Sequence, residues 1–332
     1  MEKNKRENER KRRLFLAILM ILFVGVILTT STYAWFTANQ TVTVSNVNVN
    51  IEASNGIQIS ADGANWKTVL SNADITGAST TYSTAVNQLP SSMVPVSTGK
   101  TIDSDTGFMN MFRGEIVDGG SGTNVLTSTK STEVNGTNGD FVAFDVFFKV
   151  TEAKQIYLTN ASKVTTTDDP TKGIENAARI AFLPEGTVDA STAVADIQTQ
   201  KTAGTPIIWE PNNNAHTQAG LNNASSVYGL TTLTATGEVA NYYGVIAEFA
   251  KADNVALNAT TAGKFTQVTP DIKTGTTGIL STAYQPVFQL QAGITKMRIY
   301  MWIEGQDVDC EDAASGSNLT YALQFSLLNK AS

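Results

Sequence analysis

The sequence predicts an all-β protein, a jelly-roll-like β-sandwich with long loops, preceded by an N-terminal signal or transmembrane helix. Three observations carry this expectation. Apolar and polar residues alternate with the strand period of two through much of the chain. Thr, Ser, Asn and Gly, which suit strands and the turns between them, are plentiful, while only 16% of the 332 residues are charged, below the roughly 25% usual in globular domains. Finally, a basic run at the N-terminus leads directly into a long uncharged apolar segment. Residues 1–34 therefore read as a signal peptide or membrane anchor, 35–54 as an N-terminal strand or arm, and 55–332 as the sandwich, with a split near residue 130 as the alternative.

The export segment is explicit. EKNKRENERKRR (2–13) precedes LFLAILMILFVGVILTTSTYA (14–34), which holds no charge. Lys and Arg clusters stay cytoplasmic, so the rest of the chain faces outward. Thr32-Tyr33-Ala34 places small side chains where a peptidase would cut between Ala34 and Trp35. A retained anchor is the alternative, because the stretch matches the roughly 20 residues that cross a bilayer. Both readings give an extracellular or cell-surface body that meets the membrane during export.

TYAWFT (32–37), followed by the strand-like TVTVSNVNVNIEAS (41–54), resembles the start of TasA/camelysin-type exported proteins of Bacillota. The likeness spans residues 13–55. It implies a signal ending in Thr-aromatic-Ala, a mature chain opening on aromatics and then a β-strand, and a surface or matrix-fibre role. Segments 173–183, 208–217 and 299–313 resemble stretches of uncharacterised exported proteins and imply no activity.

In chain order, Val42 and Val44 share one strand face and Val47, Val49 and Ile51 the other, with a slip at Ser45-Asn46 that predicts a bulge or a crossing between sheets. GIQISADGANWKTVL (56–70) predicts a hairpin turning at Asp62-Gly63. In FVAFDVFFKV (141–150), Phe141, Ala143, Asp145 and Phe147 share one face and Val142, Phe144, Val146 and Phe148 the other, so the strand should be covered on both sides. Further strands are expected at 178–183, 286–290, 297–303 and 319–327. A short helix is expected at 190–200 with Asp189 as cap, and 239–250 fits either period. Residues 71–90, 118–139, 212–237 and 252–278 read as long surface loops.

Catalytic chemistry is sparse. His216 is the single histidine and reads as a loop residue, and HExxH, Walker and GxGxxG patterns are absent. The one cysteine, Cys310, can form no intramolecular disulfide and reads as a buried or inert thiol. Of 23 Lys/Arg and 30 Asp/Glu, residues 1–34 hold seven and three, leaving a body of net charge −11. That balance excludes a nucleic-acid groove, which needs clustered cations. The densest carboxylate group, Glu304 to Asp312, reads either as a solvated acidic turn or as a Ca²⁺ site through Asp307, Asp309, Glu311 and Asp312. Asp103-x-Asp105-x-Gly107 has a fainter calcium-loop pattern.

The leading expectation is a non-enzymatic fibre or biofilm-matrix subunit that polymerises head-to-tail with copies of itself. Residues 35–54 would act as a donor strand, with Trp35, Phe36, Val42, Val44, Val47, Val49 and Ile51 filling an open edge of the next subunit. Burying the five aliphatic side chains would contribute a gross gain near 10 kcal/mol, at roughly 1.5–3 kcal/mol each. A membrane-anchored adhesin or binding module is the alternative reading, and a surface hydrolase using two carboxylates is a third.

Overall fold

The alternating segments become strands, and their register decides which side chains meet. The computed structural model describes residues 48–53, 56–120, 123–166, 172–202, 204–212, 215–222, 242–252, 265–273, 286–310 and 318–327. One six-stranded sheet runs in the order β15 (Phe288–Leu290), β7 (Lys154–Leu158), β17 (Leu319–Ser326), β1 (Asn48–Ala53) and β3 (Val69–Leu70), with β8 (Lys163–Thr166) also on β17. The other runs β14 (Ile272–Lys273), β10 (Ile207–Glu210), β9 (Ala178–Val188), β16 (Gly293–Ile303), β6 (Val142–Val150) and β2 (Gln58–Ser60). Pairing in both is antiparallel apart from β1 on β17 and β14 on β10. Two smaller sheets complete the described chain: β12 (Phe249–Ala252) with β5 (Thr123–Ser131) and β4 (Met111–Gly120), and β11 (Tyr242–Val245) with β13 (Phe265–Val268).

The two large sheets share one apolar core. Phe148 of β6 and Phe182 of β9 pack against Phe288 and Phe325 of the opposite sheet, with ring centroids 5.2 to 5.9 Å apart, mostly edge-on. The far face of β6, β9 and β16 is covered too, by Val96, Met109 and Met111 over Phe141, Tyr300 and Trp302. Coverage on both sides explains the near-continuous burial of these strands and matches the expectation for 141–150. The molecule is thus mostly β, as the alternation predicts.

Several local expectations change. The hairpin over 56–70 forms through Ile59 and Lys67, but its turn takes five residues. Asp62 organises it, accepting hydrogen bonds from the Ala64 and Asn65 amides, while Gly63 supplies a φ of +74°. Within 71–90 lies a helix, α1 (Asn72–Gly77), continued by a 3₁₀ turn at Ala78–Thr80. The Asp74 carboxylate accepts the Ser71 amide at 2.9 Å and so caps it. Residues 118–139 are only partly loop: they carry the end of β4 and all of β5, which together make a long hairpin. The helix expected at 190–200 shrinks to α2 (Val194–Gln198), with Ala193 rather than Asp189 at its cap, because the Asp189 carbonyl closes a turn with the Thr192 amide. At 239–250 the strand period wins, giving β11 and β12.

Candidate functional site

Of the expected assembly arm, Val49 and Ile51 fall in β1, whereas Trp35, Phe36, Val42, Val44 and Val47 lie outside the described residues, as do Ala34, the expected cleavage site and the whole apolar segment. Among the described residues no helix is long and apolar enough to cross a membrane. The final stretch of the arm is not free in this chain. Asn48 to Ala53 run parallel to Thr320 to Phe325 in unbroken register, and Ile51 and Glu52 pair on the other side with Leu70 and Val69. Ile51 is completely buried in the shared core. The physical reason is local: β17 presents a full ladder of amides and carbonyls, and the chain's own strand fills it without loss of translational freedom.

The second constellation is the turn after β16, where the expected solvated acidic turn is instead buried. Glu304 is fully enclosed, accepting the Trp302 indole N–H and the Gln306 amide, each at 3.0 Å. Asp307 Oδ1 accepts the Asp309 amide at 2.8 Å, and its Oδ2 meets the Arg179 guanidinium at 2.5 Å. Arg179, on β9 opposite Trp302, also reaches Glu210 Oε1 at 2.5 Å. Asp309 Oδ2 holds His216 Nδ1 at 2.7 Å, and its Oδ1 accepts both the amide and the hydroxyl of Thr217. The turn therefore anchors residues 215–222 to the end of the β10-β9-β16 sheet. Gly220 makes this approach possible: a Cβ there would lie 2.5 Å from Asp309 Oδ1.

His216, read from sequence as a loop residue, proves nearly buried, with a side chain 5% exposed. Burial works against its charge, but the Asp309 hydrogen bond and the Asp307, Asp309 and Glu210 carboxylates outweigh it and raise its pKa. Its Nε2 is buried without a hydrogen-bond partner. His216, Asp307 and Asp309 bring ligand-type atoms within 4.8 Å of one another. The oxygens of both aspartates also accept from protein donors. Glu311 and Asp312 lie outside the described residues. The Asp103 pattern is likewise an internal turn, its carboxylate accepting the Asp105 and Thr106 amides and pairing with Lys130 at 2.5 Å. Cys310 is buried and in no disulfide among the described residues, and Trp209 and Trp302 are core residues.

A third cluster is one the sequence does not single out. On the face of the second sheet away from the shared core, Asp145 of β6 stands opposite Arg298 of β16. Arg298 Nη1 donates to Asp145 Oδ1 at 2.6 Å, Nη2 to the Val86 carbonyl at 2.6 Å, and the guanidinium pairs with Glu133. Lys296 Nζ lies 3.2 Å from Asp145 Oδ2 and 2.9 Å from Glu185 Oε2. All five charged side chains are at least 94% buried. A slip in register brings Glu185 there: Lys296 pairs with Gly186 and Met297 with Pro184, so Glu185 is the extra residue of a β-bulge. The sequence signal is Asp145 in the middle of a mostly apolar strand.

Around the Asp62 turn lies a cleft of about 310 Å³, lined by Asp62, Asn65, Lys67 and Asp74. Lys67 pairs with Asp74 and Asp62 is bonded to Asn65 and Thr81, so its polar groups are committed to one another. No protein-family model, curated protein or solved structure matches the chain.

Proposed function

We propose that the chain is a non-enzymatic structural subunit of an extracellular fibre or matrix, assembling by exchange of its first strand between neighbouring copies. The supporting observation is the position of β1. It is a six-residue strand lying parallel to the C-terminal strand β17 and, among the described residues, is flanked on its other side by the two-residue β3. A short connection joins it to β2, so it can leave its slot without threading through the fold. The same slot in a second copy offers the same ladder and the same pocket for Ile51, and repetition of that step gives an open head-to-tail filament. The chain passes between the two large sheets at most of its connections, a winding we read as jelly-roll-like. The N-terminal resemblance to TasA/camelysin-type proteins and the export-like segment agree with a surface role. The reading does not require Ca²⁺ at the acidic turn, where Arg179, His216, Thr217 and backbone amides engage the carboxylates.

The test uses the register partners Asn50 and Ala322. A chain carrying Asn50→Cys is mixed with one carrying Ala322→Cys under assembly conditions and oxidised, since paired strands hold Cα atoms within disulfide reach. Strand exchange yields a covalent heterodimer. A chain carrying both cysteines, oxidised before assembly, should stay monomeric. Fibres that form without any cross-linked heterodimer would refute exchange, and an intact N-terminus on a native monomer would favour the anchored binding module.

A further inference from the structure

We propose that Lys296 and Asp145 condense into an intramolecular amide that ties β16 to β6, with Glu185 carrying the proton. The inference stands apart from the assembly reading, since it concerns two strands at the centre of one chain. Amide formation needs an amine beside a carboxyl group, a polarised carbonyl, a proton carrier and exclusion of water. Each requirement is met by a named group. Lys296 Nζ sits 3.2 Å from Asp145 Oδ2, with side chains only 6% and 2% exposed. The ammonium is steered there by the carbonyls of Gln200 and Gln198 at 2.9 and 3.3 Å and by the Tyr82 ring, 5.7 Å away.

Two carboxyls face Lys296, and their surroundings separate their roles. Asp145 is polarised from both sides, Oδ1 by Arg298 Nη1 at 2.6 Å and Oδ2 by the Tyr82 hydroxyl at 2.9 Å. Arg298 and Lys296 hold Asp145 ionised, so its Cγ becomes the electrophile only once Oδ2 is protonated, and the guanidinium is then placed to hold the oxyanion that forms on Oδ1. Glu185 lacks such support. Both of its oxygens are buried without a regular hydrogen bond, and Lys296 is its ion-pair partner at 2.9 Å. Burial and the nearby Asp145 charge push its carboxyl up to about 7, which suits a group that must take and return a proton near neutrality.

The balance closes without an oxidant or other co-reactant. Glu185 takes one proton from the ammonium and passes it to Asp145 Oδ2, and the free amine attacks Cγ of the resulting carboxylic acid to give a tetrahedral centre whose one oxyanion, on Oδ1, faces Arg298. The nitrogen then loses a second proton, Oδ2 receives two in all through Glu185 and Tyr82, and water departs. One C–N bond forms and one C–O bond breaks, with an ammonium and a carboxylate becoming an amide and water. The same carboxylates hold the resting ammonium charged, so the step is a slow, single event after folding. It proceeds because it removes two opposite charges from a dry site where each is costly.

Mass spectrometry of the purified, folded protein decides the matter. The body should be lighter than its sequence by one water, about 18 Da. Tryptic digestion should leave Lys296 uncut and yield a branched peptide containing both Lys296 and Asp145. Lys296→Arg should restore the full sequence mass. Glu185→Gln should restore it in a chain whose circular dichroism remains that of the parent. Recovery of the Asp145 and Lys296 peptides as separate linear species from the folded wild-type chain would show an ion pair only and overturn the proposal. That reading needs no variant to fold and is unaffected by whether the chains polymerise.

Discussion

Replacing Arg298 with Met tests how the buried charge network is held. The Arg298 side chain is fully enclosed and faces Asp145, Glu133 and the Val86 carbonyl. Met keeps most of the aliphatic volume beneath Phe108, whose ring lies 4.2 Å from the guanidinium carbon. What disappears is the charge that pairs with Glu133 and, where Asp145 is still a carboxylate, the closer of its two cationic partners among the described residues. Breaking a buried pair from one side costs about 3–5 kcal/mol, because the remaining charge stays desolvated. That is a large fraction of the roughly 5–15 kcal/mol by which domains are stable. The loss must also depend on pH. Burial acts most strongly on Glu133 and already raises its carboxyl despite the guanidinium. Burial is also the largest single influence on Asp145, but Arg298 and then Lys296 together outweigh it and lower the carboxyl. Without Arg298 the folded pKa of Glu133 moves up further, as does that of Asp145 wherever the amide to Lys296 has not formed, so the added instability is smallest at low pH, where the carboxyls are protonated in both chains, and grows as pH rises. Urea unfolding of the wild type and Arg298→Met at pH 4.5 and pH 8 measures this directly. The expected deficit is several kcal/mol at pH 8 and clearly smaller at pH 4.5. A deficit below about 1 kcal/mol, or one equal at both pH values, would refute the reasoning.

Two further outcomes follow from the acidic turn. Because the pKa of His216 is raised in the fold, its contribution is complete below the unfolded value near 6.5 and is lost as pH rises through the folded value. His216→Gln should therefore flatten the fall in urea midpoint between pH 6 and pH 9, and parallel curves for variant and wild type would contradict the Asp309 pairing. Gly220→Ala forces a methyl against Asp309 Oδ1 and, at 3.0 Å, the Val308 carbonyl. It should cost about 1–3 kcal/mol and speed hydrogen exchange at the Thr217 amide. Gly77→Ala, where nothing lies within 4 Å, is the control that should leave both unchanged or slightly improved.

What could be read in advance depended on how much each segment relied on its own pattern. Residues 319–327 alternate strongly and 141–150 and 297–303 are apolar almost throughout, and they fall in β17, β6 and β16. Each buries apolar side chains in quantity, and burial is what a period of two reports. The β4-β5 hairpin escaped because GGSG and a run of Thr, Ser and Asn carry little apolar signal, and its pairing is written in register rather than in composition. Helix α1 escaped because six residues show barely more than one turn of periodicity, although Ser71 and Asp74 stand at capping spacing. The acidic turn was visible as a run of carboxylates, but its burial was not, since Arg179 and His216 lie about a hundred residues away and arrive through the order of strands. The Asp145 network is the extreme case. Its clue was one carboxylate on an apolar strand face, and a bulge that no local pattern announces brings Glu185 beside Lys296.

The placement of β1 also sets terms for assembly. In the closed chain and in an exchanged filament, Ile51 would fill an equivalent pocket and the six register pairs with β17 would be the same, so these contacts cancel between the two states. What remains is the entropy of holding β1 on its own chain against bringing in another copy. A short linker gives an effective concentration on the order of mM. Below that concentration the closed form wins unless the exchanged state gains something the closed one lacks. On the proposed reading, Trp35, Phe36, Val42, Val44 and Val47 of the segment before β1 supply those added contacts to a neighbour. Truncation to residue 48 should then leave the fold and its urea midpoint intact while raising the concentration needed for fibres toward the mM range. Substitution of Ile51 should weaken closed chain and fibre together. Fibres of the truncated chain growing at the unmodified threshold would show that the drive to assemble lies elsewhere on the surface.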